Sequence, residues 1–318
     1  MNAFARTTAI AIVCCIARPA VAVCGTELGP VAGLFAVGLD PVPSAGLSAC
    51  LSLANHSTDN IGLAETLLFD GETVRADISW FRDIDQWTLG VTAPVLTHNS
   101  GFLDGTIEGW HDLFGLPNGN RDRRPQNELL FDWTRNNVAI IARDQATQGI
   151  GDVRLHASRG LITTEQWRLS VGAVVKVPTG DPDRLTGSGG TDVTLGVRAE
   201  SLRLFGSNRW RLNATAALTA LGSSDIAALP TESRVLSATT TLRWLPRETL
   251  EVGARVRARE RLVRSELREV GDPAIGLDAW FGWQAWGEQQ LRIGVSEDLN
   301  VDSQPDVVFR ISLGRSIR

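Results

Sequence analysis

Three side chains in the first half of the chain are spaced to act together: Glu108, His111 and Asp112 stand at i, i+3 and i+4. On a helix those positions share a face. An imidazole between two carboxylates can hold a divalent metal or pass a proton. The stretch that carries them, GFLDGTIEGWHDLFGLPNGN from Gly101 to Asn120, contains neither an HExxH pattern nor paired cysteines. One histidine with two acids at this spacing is common on the polar side of a loop helix, so no metal centre is assigned. The apolar side is more distinctive, because Ile107, Trp110 and Phe114 form one stripe. So many large apolar groups must pack on something. The segment is therefore expected to be a folded gate, with Asp104, Glu108, Trp110, His111, Asp112 and Phe114 as its working residues.

Other chemistries find less support. His56, His98 and His156 and many serines could supply a hydrolytic triad, but no GxSxG elbow presents a nucleophile. The glycine-rich run KVPTGDPDRLTGSGGTD (176–192) lacks GxxxxGK[ST] and reads as a tight hairpin. No catalytic residue and no cofactor are expected. The strongest electrostatic feature is a row of arginines, Arg255, Arg257, Arg259 and Arg261, at every second position.

That spacing leads to the elements that must carry it. In TLEVGARVRARER (249–261) Leu250, Val252, Ala254, Val256 and Ala258 oppose the arginine face. QWRLSVGAVVKV (166–177) and WRLNATAALTAL (210–221) alternate in the same way. So do 73–81, 87–96, 151–161, 190–204, 234–245, 275–286, 288–298 and 306–317, with a weaker copy at 47–55. Such strands suit a soluble sandwich or a transmembrane barrel. Their length of about ten residues fits a tilted bilayer crossing. Trp80, Trp87, Trp167, Trp210 and Trp244 lie near strand ends, as in an interfacial girdle. Short connections alternate with long ones, the longest being 97–127. An antiparallel outer-membrane β-barrel follows, all-β, with short periplasmic turns and long outside loops, one of them carrying a short helix.

An even strand count brings both termini to the periplasm. ELLFDWTRNNVAIIARD (128–144) is then a hairpin turning at Asn136–Asn137. About twelve strands are expected if it belongs to the outside loop, and fourteen if its arms enter the membrane. Arginines facing lipid would cost about 2–4 kcal/mol each at the bilayer midplane. Arg255, Arg257 and Arg259 therefore line the lumen, with Lys176, Asp192 and Asp278 as further lumenal or solute-binding candidates. A salt-bridge network filling a narrow barrel is one reading of this row; a ladder for a small anionic or zwitterionic solute is the other.

The first 22 residues read as an export signal, with a basic start, an apolar run and AVA at Ala20–Ala22. Residues 23–46 would then be a periplasmic or lumenal segment and 47–318 the barrel. Cys24 and Cys50 remain in the exported chain, either paired or free. A net charge of −5 argues against nucleic acid. Lys176 is the only lysine.

Laid in order, these segments resemble the domain-of-unknown-function 3187 proteins of proteobacteria. The resemblance is carried by LLFDGETVRADISW (67–80), GFLDGTIEGWHDLFGLPNGNRDRRP (101–125), GIGDVRLHASR (149–159), KVPTGDPDRLTGSGGTDVTLG (176–196) and SEDLNVDSQPDVVFRISL (296–313). It implies an outer-membrane barrel, and with it membrane lipid and the barrel assembly machinery as partners, but no activity. The expected function is a narrow or gated channel for a small solute in a Gram-negative outer membrane. The alternatives are a purely structural barrel or a barrel enzyme acting on lipid or envelope polymer.

Overall fold

The computed structural model describes residues 24–40, 45–114, 125–287, 289–299 and 307–315. The expected signal peptide, 1–22, lies outside them. Fifteen strands form one antiparallel sheet, and twelve of these close into a barrel. The wall runs β1 (Gly46–Ile61), β2 (Glu65–Ile84), β3 (Trp87–Asn99), β7 (Val153–Thr163), β8 (Trp167–Val177), β9 (Asp192–Ser201), β10 (Trp210–Ala220), β11 (Arg234–Arg247), β12 (Leu250–Arg259), β13 (Ala274–Trp286), β14 (Gln289–Asp298) and β15 (Val307–Arg315). Closure comes from β1 pairing with β15, in a register that sets Leu51 opposite Ile311.

The remaining strands extend the wall at its long-loop end. β4 (Leu130–Arg135) pairs with Glu65–Asp70 of β2, and β5 (Val138–Arg143) pairs with β4. The hairpin turns at Asn136 and Asn137, both at positive φ. A two-residue turn of this hand matches strand twist, and asparagine tolerates it. β6 (Thr147–Ile150) continues the line of β7 and pairs with Val95–His98. The hairpin thus sits beyond the closed wall, which leaves twelve strands rather than fourteen. β1 and β2 are longer than their alternation suggests, at 16 and 20 residues, because they continue past the barrel paired to each other, and β2 there carries β4.

The two faces of the wall differ as the alternation requires. Outward residues are large and apolar: Leu195 is 61% exposed, Val252 40% and Ile311 49%. Inward residues are charged and buried, among them Arg75, Asp77, Lys176, Asp192 and Glu251. Trp80, Trp87, Trp167 and Trp244 are exposed at the short-turn end, and Trp244 stacks on Trp210 with centroids 5.7 Å apart. A single aromatic belt at that level is the interfacial girdle of a membrane barrel.

Residues 24–40 occupy the lumen, as their bonds to inward-facing side chains show. The segment starts at Cys24, which is disulfide-bonded to Cys50 on β1. It rises past Asp77, makes a 3-10 turn at Ala32–Leu34, and descends to Arg198, whose Nε donates to Asp40 O at 2.6 Å. Its tip joins an apolar core at the long-loop end. There Val31, Leu34 and Phe35 cluster with Phe69, Phe131 and Trp133 from the β2–β4 extension, and with Leu229 and Leu262 from the loops.

Candidate lumenal site

β12 presents its arginines inward at every second residue, and β13 sets Asp278 opposite Arg255 in register. Asp278 receives Arg255 Nε at 2.5 Å, Arg257 Nε at 3.0 Å and Arg310 Nη1 at 3.2 Å. One carboxylate among three guanidinium groups leaves positive charge over. Glu27 of the N-terminal segment takes part of it, accepting from Arg257 Nη1 at 3.4 Å and Arg259 Nε at 3.2 Å. The fourth arginine, Arg261, lies past the strand and pairs with Glu232 at the surface.

A second cluster surrounds Lys176 near the top of β8. Its ammonium meets Asp152 at 2.9 Å and Asp192 at 3.2 Å, and donates to Ser188 Oγ and to Leu34 O. Asp192 also accepts from the backbone N–H of Ala36, 3.1 Å away. A compact ammonium with three donors suits such a pocket better than a planar guanidinium. Lys176 and Asp192 thus stand together, apart from the Asp278 group, and the N-terminal segment touches both.

The inward face carries more basic groups than the arginine row suggests. Arg75 pairs with Asp77 at 2.8 Å, and Arg243 with Glu200 at 2.8 Å. Arg292 approaches Glu251 at 3.2 Å, and Trp280 Nε1 donates to the same carboxylate. Gly253 is needed here, because a Cβ at that position would fall 2.0 Å from the Trp280 ring. Each of these residues sits at an inward position of its strand, so alternation alone could have found them. The lumenal segment itself carried a fainter signal: a short apolar run, VAGLFAVGL, between a cysteine and the first strand.

The expected gate loop is fastened elsewhere. β1 and β2 turn Asn55 and Glu72 outward, since the neighbouring Ala54 and Thr73 face the lumen and pack there. α1 (Asp104–Phe114) begins against that outer face. Asp104 accepts from Asn55 Nδ2 at 2.9 Å and from Asn127 N at 2.8 Å. Glu72 Oε1 accepts from the backbone N–H groups of Phe102 and Leu103. The start of the loop thus clasps the outside of the rim. The outward-facing Asn55 and Glu72 are therefore buried where the loop begins. Glu108 accepts from Gln126, and Asp112 is exposed. The side chains of Trp110, His111 and Phe114, and residues 115–124, lie outside the described residues.

His56, His98 and His156 serve packing. His56 and His98 both bond the Thr73 hydroxyl at 2.9 Å, and each meets Phe131 edge-on. His98 Nε2 is 3.0 Å from Leu185 O. His156 bonds Thr92. Among the described residues no group of three or more histidine, cysteine or acidic side chains is arranged to hold a metal ion.

The fold is shared with solved outer-membrane proteins. The chain is similar to the COG4313 outer membrane channel from Pseudomonas putida F1, with 13% identity, a TM-score of 0.55, and coverage of 87% of this chain and 99% of that one. It is more distantly similar to the NanC porin, with 7% identity, a TM-score of 0.49, and coverage of 86% and 100%. No curated protein matches it by sequence. The family described as "Protein of unknown function (DUF3187)" matches residues 49–317, the whole barrel wall from the first strand to the last, and the chain belongs to that family.

Proposed function

We propose that the protein is a narrow outer-membrane channel for a small anionic or zwitterionic solute, held closed by residues 24–40. The reading includes export with loss of residues 1–22 and insertion by the barrel assembly machinery among outer-membrane lipids. The observation that carries it is the bonding of the lumenal segment. Its shaft makes polar contacts to the wall: Gly25 N to Asp77, Ala36 N to Asp192 and Thr194 to Ala36 O, Arg198 to Asp40 O, and Arg257 and Arg259 to Glu27. Water or a charged solute could replace each of these.

Apolar burial holds the segment as well: Val31, Leu34 and Phe35 are buried at the tip, Leu28 on the ascending arm and Leu39, against Val174 and Ala217, on the descending one. Burying a large apolar side chain contributes about 1.5–3 kcal/mol, so expelling the whole segment would cost on the order of 10 kcal/mol. A shift of the descending arm, 36–40, is a far smaller step. In this reading the gate moves at its descending arm and stays anchored at its apolar tip and its disulfide.

Planar bilayer recordings test the reading. The full chain should conduct poorly, and a variant lacking residues 25–40 should conduct severalfold better. Equal conductance in the two would favour a structural barrel, for which the dense pairing around Asp278 is the supporting observation.

A further inference from the structure

At the short-turn end of the lumen, below the last contact of the N-terminal segment, the wall holds more positive charge than its own carboxylates compensate. Four arginines meet two glutamates there. Arg168, Arg211 and Glu251 are each the second residue of a strand that starts at that end. Glu200 binds Arg243 at 2.8 Å and Arg168 at 3.8 Å. Glu251 binds Arg292 at 3.2 Å and lies 3.9 Å from Arg243. Arg211 remains. It stands directly across from Arg243 in the β10–β11 register, and its Nε and Nη1 are buried without a hydrogen-bond partner among the described residues. Arg243 is buried too, and its Nη1 lacks a hydrogen bond.

Like charges directly opposite on one sheet face repel. Buried guanidinium donors without acceptors are costly, and the more so when they are charged. Both costs disappear if a small oxyanion sits between the two forks. A carboxylate or phosphate offers several acceptor oxygens, and arginine binds such groups through paired N–H bonds. The rim is open enough for entry, since the Arg168 side chain is 48% exposed.

We infer that Arg211 and Arg243, framed by Arg168 and Arg292, form an oxyanion-binding site at the short-turn mouth of the barrel. The site takes a small carboxylate or phosphate and is reached from that end while residues 24–40 stay seated. It deepens the channel reading, because it gives the anionic solute of that reading a place to bind.

The test uses the full chain folded in detergent micelles and equilibrium dialysis against labelled inorganic phosphate, then against labelled succinate, at constant ionic strength. The expected result is saturable binding of one anion per barrel. Arg211→Gln should weaken it at least tenfold, Arg211→Lys should retain part of it, and Arg82→Gln on the outer surface should leave it unchanged. Phosphate should raise the unfolding midpoint of the full chain and have little effect on Arg211→Gln. Without phosphate, Arg211→Gln should be at least as stable as the full chain, because it loses an unpaired charge. Absence of saturable binding, or equal binding in Arg211→Gln, would overturn the site. Phosphate binding without a conductance gain on removal of 25–40 would support the site and sink only the gate. The reverse result would sink only the site.

Discussion

The ammonium of Lys176 donates to the backbone carbonyl of Leu34 across 2.8 Å, joining the only lysine of the chain to a residue 142 positions earlier. The same ammonium sits between Asp152 and Asp192. A wall strand, two acidic strand ends and the lumenal segment therefore share one cation.

Replacing that cation with an apolar group should be costly. Lys176→Met would leave two buried carboxylates facing each other. Removing one partner of a buried ion pair destabilises by about 3–5 kcal/mol. Urea unfolding, followed by the shift in gel mobility between folded and heated barrel, should show a loss of that size. Conductance should rise as well, since Leu34 loses its anchor. A variant with normal stability and no added conductance would mean that Lys176 does not seat the segment.

The disulfide makes a separable contribution. Cys24 and Cys50 lie 26 residues apart. In the loop-entropy description a cross-link of that length is worth about 3.5 kcal/mol, and less where the unfolded chain keeps structure. The double variant Cys24→Ser, Cys50→Ser should unfold at lower denaturant, and its closed state should show more frequent brief openings. The paired chain should also migrate differently on gels with and without reductant. If the double variant matches the full chain in both stability and opening, the tether has no part in closure.

Much of the wall was legible because its constraint is local. A residue on a membrane strand faces lipid or lumen, and the choice repeats every second position. Val252 and Arg257 could be assigned to opposite faces from their own strand alone. Twelve strands followed from a second local signal, the asparagine pair of the 128–144 hairpin. The lumenal segment was not legible in the same way. Leu34 and Phe35 look like any short apolar run, and their partners, Phe131, Trp133 and Leu262, lie far along the chain. The loop at 101–114 misled for a related reason. Its apolar stripe announces packing without saying on what, and only the outward register of Asn55 and Glu72 shows the side of the wall it meets.

The clasp on that outer face can be opened alone. Glu72 Oε1 lies 2.8 Å from Phe102 N and 2.6 Å from Leu103 N, with Gly101 passing directly over the carboxylate at φ 71°. Hydrogen bonds to a charged acceptor contribute about 1.5–3 kcal/mol each. Glu72→Ala removes both while leaving the strand pairs intact. Limited proteolysis should then cut within 101–127 several times faster, with the barrel fragment still heat-modifiable and phosphate binding unchanged. If the cleavage rate does not change, this carboxylate does not hold the loop.

The faces of β12 and the seating of the lumenal segment can be read in one experiment, single cysteines placed along the strand. Val252, Ala254 and Val256 are exposed on the outer surface, whereas Arg257 is buried beneath Glu27. In lipid vesicles, cysteines at 252, 254 and 256 should resist a charged maleimide and react with an apolar one. Arg257→Cys should react with neither in the full chain, because Glu27 and its neighbours cover the position. Asp278 keeps Arg255 and Arg310 in that variant, so the wall retains its pairing. Removing residues 25–40 should then make the cysteine at 257 reactive toward the charged reagent, and leave 252, 254 and 256 unchanged. Labelling at 257 that is equally fast with and without the segment would mean that the lumen is not filled by it. Charged-reagent labelling at 252 and 256 would reverse the two faces of the strand.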